Sequence, residues 1–173
     1  MPKIIGIVPA RMKASRFPGK PLFKILGRPL VEHVYQRAKK FDKFDGLFLA
    51  TCDQEIADAA KDFGAPVIMT ADTHTRALDR VAEAAANCGI DLAPDDIVIN
   101  VQGDEPMMQP DMIEASYRPL LDDPKADCTL LAMAIRDEET YRDPNALKVV
   151  WNLRGDVLYT SRTPIPYCKE FSP

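Results

Sequence analysis

The sequence predicts an α/β fold with a mostly parallel sheet, helices on both faces and one antiparallel hairpin. Three observations carry this. Short β-branched runs, Ile4-Ile5-Gly6-Ile7-Val8 and Ile97-Val98-Ile99-Asn100-Val101, are almost free of polar residues, as expected of strands covered on both faces. Segments of helical periodicity alternate with such runs, the pattern of parallel strands joined by crossover helices. Further on, Val149-Val150-Trp151 and Val157-Leu158-Tyr159 flank Asn152-Leu153-Arg154-Gly155, which reads as a hairpin added antiparallel to the sheet.

The elements follow in order. Pro9 closes the first strand, and a basic loop follows it. Leu30, Val31, Val34, Tyr35 and Ala38 recur at helical spacing, with Lys39 and Lys40 near the C-terminal end, where cations suit the helix dipole. Leu47-Phe48-Leu49-Ala50 predicts a second strand. Asp53 is placed to cap a helix from Gln54 to about Phe63, and Gly64 sits at its C-cap position. Pro66-Val67-Ile68-Met69 predicts a third strand. The polar loop Thr70 to Thr75 leads into a helix with Leu78, Val81, Ala82 and Ala85 on one face. After the Ile97 strand, Met112 to Leu121 predicts a helix and Thr129 to Ile135 a strand. With no repeat, low-complexity segment or evident linker, residues 1–173 are expected to form one domain.

Composition narrows the function. A chain of 173 residues with a net charge of -4 and 28% charged residues is ordinary for a globular protein, and its acidity argues against general nucleic-acid binding. No apolar stretch reaches the roughly 20 residues of a membrane helix, so no membrane insertion is expected. The N-terminus carries no secretory pattern, and cytoplasm is the expected location. Cys52, Cys88, Cys128 and Cys168 are widely spaced without a CxxC pair, which favours free thiols over a zinc site or a disulfide framework.

Charge is unevenly placed. The first thirty-one residues hold seven of the 22 Lys and Arg and none of the 26 Asp and Glu. Arg11, Lys13, Arg16 and Lys20 follow the first strand, at the sheet edge where open α/β sheets bind ligands. A polyphosphate suits this loop, because Arg forks onto two oxygens and Lys supplies a compact charge. A basic loop can also be merely solvated. The absence of acids and the punctuation by Pro9, Pro18, Gly19 and Pro21 favour a ligand. It is no Walker P-loop, since Ala14 stands where a Gly is needed before Gly19-Lys20, and no GxGxxG exists. The remaining design is a loop that wraps phosphates with Arg11, Arg16, Lys20 and backbone donors around Ala14 and Ser15.

Gln102-Gly103-Asp104-Glu105-Pro106 follows another buried-type strand and so falls on the same edge. A carboxylate there suits Mg²⁺ bridging phosphate oxygens, and Gly103 permits close approach of backbone to ligand. Taken alone the segment reads first as a polar turn with its acids facing water. The cationic loop on the same edge favours the metal reading. Trp151 and Tyr159 are expected to pack within the hairpin, Met107 and Met108 to line or join the core, and His33 to be structural.

Taken together, IVPARMKASRFPGKPL, NVQGDEP, DPNALKVV and LYTSRTPIP resemble the 3-deoxy-manno-octulosonate cytidylyltransferase family, the CMP-Kdo synthetases. The likeness runs in order along nearly the whole chain. NVQGDEP and the stretch from PxNxxKVV to SRxPIP are more specific than the basic loop. The resemblance implies a Rossmann-like nucleotidyltransferase fold and transfer of CMP from CTP to an acidic sugar. It also implies pyrophosphate release, a Mg²⁺ requirement, a role in lipopolysaccharide or capsule synthesis, and a homodimer. It implies catalytic roles for Arg11, Lys20 and Asp104, with Asp104 as a magnesium ligand. Nucleotide contacts are implied for Ala10, Arg11, Ser15, Arg16, Lys20, His74, Arg80 and Gln102, and a sugar contact for Arg162.

Two departures qualify the resemblance. Where the family shows His-x-Ser-Gly-Thr-Asp/Glu-Arg, this chain has His74-Thr75-Arg76-Ala77-Leu78-Asp79-Arg80. That loses a Gly and two hydroxyls and leaves base or sugar selectivity open; His74 itself reads equally as a turn residue or a ligand contact. Family members also run longer, and their C-terminal portion supplies a second metal-binding Asp, sugar-binding side chains and much of the dimer surface. The chain is therefore expected to lack that portion, with Asp79, Glu105 or Asp111 as substitutes for the second ligand. The alternatives are a related nucleotidyltransferase of different base or sugar specificity and a non-catalytic nucleotide-binding module.

Overall fold

Strand β1 (Ile4–Pro9) is buried at all six positions and runs between two parallel neighbours, β4 (Gly46–Thr51) and β6 (Ile97–Asn100). The computed structural model describes residues 1–13 and 17–172. They form two compact units, Met1–Thr129 and a second beginning at Leu130. In the first unit β5 (Val67–Met69) pairs with β4, giving an all-parallel sheet of order β5-β4-β1-β6. A small antiparallel ribbon of β2 (Lys24–Ile25) and β3 (Arg28–Pro29) precedes α1 (Leu30–Ala38). Its tip is Leu26-Gly27, with positive φ at both residues, the backbone of a two-residue hairpin turn.

Alternation along β1 divides the core. Ile4 and Val8 face the larger cluster, which Val31, Val34, Ile56 and Ile113 complete from α1, α2 (Gln54–Asp62) and α4 (Pro110–Asp122). Ile5 and Ile7 face the opposite way, against Val81 and Ala84 of α3 (Ala77–Ala86). Right-handed crossovers explain this placement. The chain adds β4 and β5 to one side of β1, then returns past it to lay down β6, so the returning helix α3 covers the other face. Ile5 and Ile7 are wholly inaccessible, and burying such a side chain contributes about 1.5–3 kcal/mol.

The parallel sheet, α1, α2 and α4 agree with the sequence-based expectations, and so does Gly64, which follows α2 at φ +69. The rotation of α3 does not. Leu78 is 65% exposed and Ala82 is exposed, whereas Arg80, Val81 and Ala84 are buried. Single methyl groups on alanines fix helix rotation weakly. The rotation adopted brings the Arg80 guanidinium to the Thr70 hydroxyl and the Cys52 sulfur.

In the second unit, α5 (Glu138–Arg142) is capped by Asp137, whose carboxylate accepts from Thr140 N at 2.7 Å. The expected hairpin forms from β7 (Lys148–Trp151) and β8 (Val157–Ser161). It is a two-stranded sheet of its own rather than an addition to the parallel one. The strand expected over Thr129 to Ile135 does not form; β7 and β8 pair with each other, and an extended segment without a ladder partner is no strand. Trp151 and Tyr159 are exposed rather than packed within the hairpin. Lys148 is buried, its ammonium donating to the carbonyls of Asp143, of Ala146 at 2.9 Å and of Arg162 at 3.2 Å. The four cysteines are free thiols, and His33 Nε2 lies 2.8 Å from the Ile25 carbonyl oxygen, a structural contact. No helix among the described residues is long and apolar enough to cross a membrane.

At the N-terminal edge of the sheet, Asp96 accepts from Lys3 N at 2.6 Å and Ala93 N at 2.8 Å. These bonds, the Ala93 one first, hold its carboxyl below the ordinary carboxylate range. A depressed folded-state pKa gives stability that is present above the unfolded value, about 3.9 for Asp, and is lost as pH falls through the folded one. Urea midpoints followed downward from pH 6 should fall in acid for the unaltered protein. They should fall less steeply for Asp96→Asn, which cannot titrate.

Candidate active site at the switch point of the sheet

Strand order reverses at β1, and the loops leaving β1 and β6 emerge side by side at the C-terminal ends of the strands, the ligand edge of an open α/β sheet. Residues 10–20 follow β1 and residues 102–109 follow β6. The two loops meet. Lys20 Nζ lies 2.7 Å from Asp104 Oδ2, with side-chain exposures of 37% and 51%. A pair this exposed is worth about 0–1 kcal/mol, so a phosphate or a metal ion can replace either partner at little cost.

Local sequence fixes each arm of the site. Ala10 is buried and donates its N–H to the Ala50 carbonyl at 2.9 Å. Asp53 anchors the next residue, its Oδ2 accepting from Met12 N at 2.8 Å. The expected side-chain cap by Asp53 on α2 is absent; its main chain occupies the cap position while its carboxylate serves the loop. Gly19 returns the loop, donating to the Met12 carbonyl at 3.0 Å with φ +75. Lys20 then opens a 3₁₀ turn, Lys20–Leu22, seated by buried Pro21. Ser15 and Arg16 lie outside the described residues.

Gly103 is required by a close approach to the end of β1. A Cβ there would lie 2.1 Å from the Pro9 carbonyl oxygen, so only glycine lets the loop cross the end of β1 and bring Asp104 to Lys20. Gln102 and Glu105 are exposed beside it, and Met107 is exposed while Met108 packs against the core.

On the other side of β1, Arg11 NH1 donates to the His74 carbonyl at 3.3 Å. The 71–74 loop is held in turn by Glu83 of α3, whose carboxylate accepts from Ala71 N at 2.9 Å and contacts His74 Nε2. Those contacts, the Ala71 one first, depress the Glu83 pKa. Arg80 is 2% exposed, donating to Thr70 and Cys52 rather than standing open at the edge. Helix α3 starts at Ala77 with no side-chain cap on its first N–H groups. The divergent Arg76-Ala77-Leu78 therefore forms the start of the helix, with all three residues exposed. Arg162, in the second unit, is exposed and donates through NH1 to the carbonyls of Asn145 at 2.7 Å and Pro144 at 3.4 Å.

Sequence reasoning identified Arg11, Lys20 and Asp104, which the fold brings to one edge. It missed the anchoring roles of Asp53 and Glu83. Asp53 left a signal, an acid directly after a buried strand on that edge. Glu83 left none, because a helix Glu ordinarily faces water. Among the described residues no group of three or more His, Cys, Asp and Glu side chains is arranged to hold a metal ion.

A parallel sheet with Lys20 and Asp104 meeting at its switch point defines an open α/β domain with its ligand edge at the C-terminal ends of the strands. Comparison with known proteins makes the class specific. The cytidylyltransferase family model matches residues 5–172. A 3-deoxy-manno-octulosonate cytidylyltransferase of Nitratidesulfovibrio vulgaris strain Hildenborough is 48% identical over 166 residues, covering 95% of this chain and 64% of the relative. The enzyme of that name from Syntrophus aciditrophicus is 43% identical, covering 98% of this chain and 68% of the relative. A solved CMP:2-keto-3-deoxy-manno-octonic acid synthetase complexed with CTP superposes with a TM-score of 0.81 at 36% identity, covering 96% of this chain and 67% of that one. The chain belongs to the cytidylyltransferase family, among the 3-deoxy-manno-octulosonate cytidylyltransferases. It spans about two thirds of the length of these relatives.

The Asp53 anchor has a direct readout. Asp53→Ala should speed hydrogen exchange at the Met12 amide by about tenfold or more, since a hydrogen bond to a charged group is worth about 1.5–3 kcal/mol. Amides inside β1 should keep their protection.

Proposed function

We propose that the chain transfers CMP from CTP to a 3-deoxy-manno-octulosonate-type acidic sugar, releasing pyrophosphate. The observation that carries this reading is the meeting of Lys20 and Asp104 at the switch point of a cytidylyltransferase fold, on the sheet edge from which Arg11 also emerges. In the proposed reaction a sugar hydroxyl attacks the α-phosphorus in line. The new O–P bond forms as the bond to the bridging oxygen of pyrophosphate breaks, and the hydroxyl proton leaves to solvent or phosphate. Arg11 and Lys20 hold the triphosphate and neutralise the charge that gathers on the departing pyrophosphate. Ser15 and Arg16, in the same loop of the sequence, add donors. Ala10, His74 and Gln102 are assigned to the nucleotide side. Positioning and electrostatics supply most of the catalysis in such transfers, which fits a site without a nucleophile–base pair.

Asp104 is the residue assigned to Mg²⁺, with phosphate oxygens and water completing the shell. When bound, the ion neutralises phosphate charge and polarises the phosphoryl group under attack. Lys20 moves from Asp104 to the triphosphate as the nucleotide arrives. Arg162 is assigned to the carboxylate of the sugar; a guanidinium tethered through one nitrogen is a fork suited to two carboxylate oxygens. Arg80 supports the nucleotide side from beneath. A homodimer and a role in lipopolysaccharide or capsule synthesis belong to the same proposal. A second reading, with a different base or sugar, rests on Arg76-Ala77-Leu78, which places exposed Leu78 at the start of α3.

The test is pyrophosphate release with CTP, Mg²⁺ and 3-deoxy-manno-octulosonate. Release is expected from the unaltered chain, with a loss of about a hundredfold or more in Asp104→Ala, the scale for removing a transition-state charge stabiliser. CTP binding without release would leave a nucleotide-binding module. Release with another nucleotide but not with CTP would favour the second reading.

A further inference from the structure

Glu83 has no part in the proposed reaction, yet it closes a chain of contacts that ends on Arg11. From the middle of α3 its carboxylate reaches back to the start of the preceding loop. Both oxygens lie within hydrogen-bond distance of Ala71 N, at 2.9 and 3.2 Å, and Oε2 also meets His74 Nε2. The loop is thereby gripped at both ends, by the main chain at Ala71 and the imidazole at His74. The His74 carbonyl then accepts from Arg11 NH1 at 3.3 Å. Arg11 is otherwise an exposed side chain on an open loop, whose rotamer freedom must be given up each time it binds an anion.

We infer that Glu83 is a positioning residue: it fixes the 71–74 loop so that the His74 carbonyl holds the Arg11 guanidinium ready for the triphosphate. This rests on the functional reading of Arg11. Physically, the half-buried carboxylate acts through its contacts with Ala71 and His74 on a loop that no side-chain cap ties to α3. Its hydrogen bonds favour the charged form, in line with its depressed pKa, so the grip persists wherever carboxylates are ionised. Arg80, on the same helix, lowers that pKa further and braces the loop's first residue through the Thr70 hydroxyl.

Double-mutant coupling distinguishes positioning from general support. CTP dissociation constants would be measured by calorimetry on the full chain for Glu83→Ala, Arg11→Ala and the double variant. Glu83→Ala should weaken CTP about three- to tenfold when Arg11 is present, and should add nothing when Arg11 is already alanine, because contacting residues couple on this scale. Glu83→Gln, which keeps an acceptor for the Ala71 N–H, should lose less than Glu83→Ala. Should Glu83→Ala fail to fold, Glu83→Gln and His74→Ala run the same cycle; the latter keeps the carbonyl and removes the imidazole. Equal penalties in both backgrounds, or no penalty in either, would overturn the positioning role. Failure of the unaltered chain to bind CTP would instead remove the functional reading on which it rests, while hydrogen exchange at Ala71 would still report whether Glu83 grips the loop.

Discussion

Strand β1 is the constraint on which the site depends. Its six buried residues leave no main-chain group to water, so its hydrogen bonds must go to β4 on one side and β6 on the other. That double pairing sets the register of both neighbours and hence the height at which their loops emerge. The reversal of strand order at β1 then opens the C-terminal edge. Gly103 completes the arrangement, because the loop after β6 crosses against the Pro9 carbonyl at a distance that admits no side chain. The distance from Lys20 to Asp104 is thus a consequence of strand packing rather than of mutual attraction.

Cations in this fold serve in two different settings. Arg80 and Lys148 are each 2% exposed, and they donate to a hydroxyl, a thiol and main-chain carbonyls. Removing such a charge from water is costly, so these groups hold local geometry that cannot be exchanged cheaply. Arg11 and Lys20 sit at the surface, where their partners, a single carbonyl and a single carboxylate, are held weakly. Among the described residues only Arg80 and Lys148 are buried cations, while Arg11 and Lys20 stand at the sheet edge. That division lets the edge receive a highly charged ligand without disturbing the core.

Much of this was legible in the residues. Unbroken β-branched runs made β1 and β6 visible, since burial on both faces leaves no polar alternation to confuse with a helix. The acid-free N-terminal segment marked the anion loop, and the QGDEP turn marked the carboxylate opposite it. The rotation of α3, the missing strand at Thr129 to Ile135 and the independence of the β7–β8 hairpin were not legible. Each depends on which surface is available to pack or pair with, a property of other parts of the chain. Asp53 shows the same limit, for its position after a strand and before a helix suggests a cap, while its carboxylate in fact holds Met12.

By itself the sequence determined the elements, the strand edge that carries the chemistry, and the residue types gathered there. These follow from short-range periodicity, turn residues and charge, all properties of neighbours along the chain. Only the tertiary structure decided that Lys20 meets Asp104, that Gly103 passes against the Pro9 carbonyl, that Arg80 is buried, and that Glu83 reaches Arg11 through the His74 loop. Those contacts join residues far apart in sequence, and no local pattern encodes a distance that the packing of a whole sheet must set.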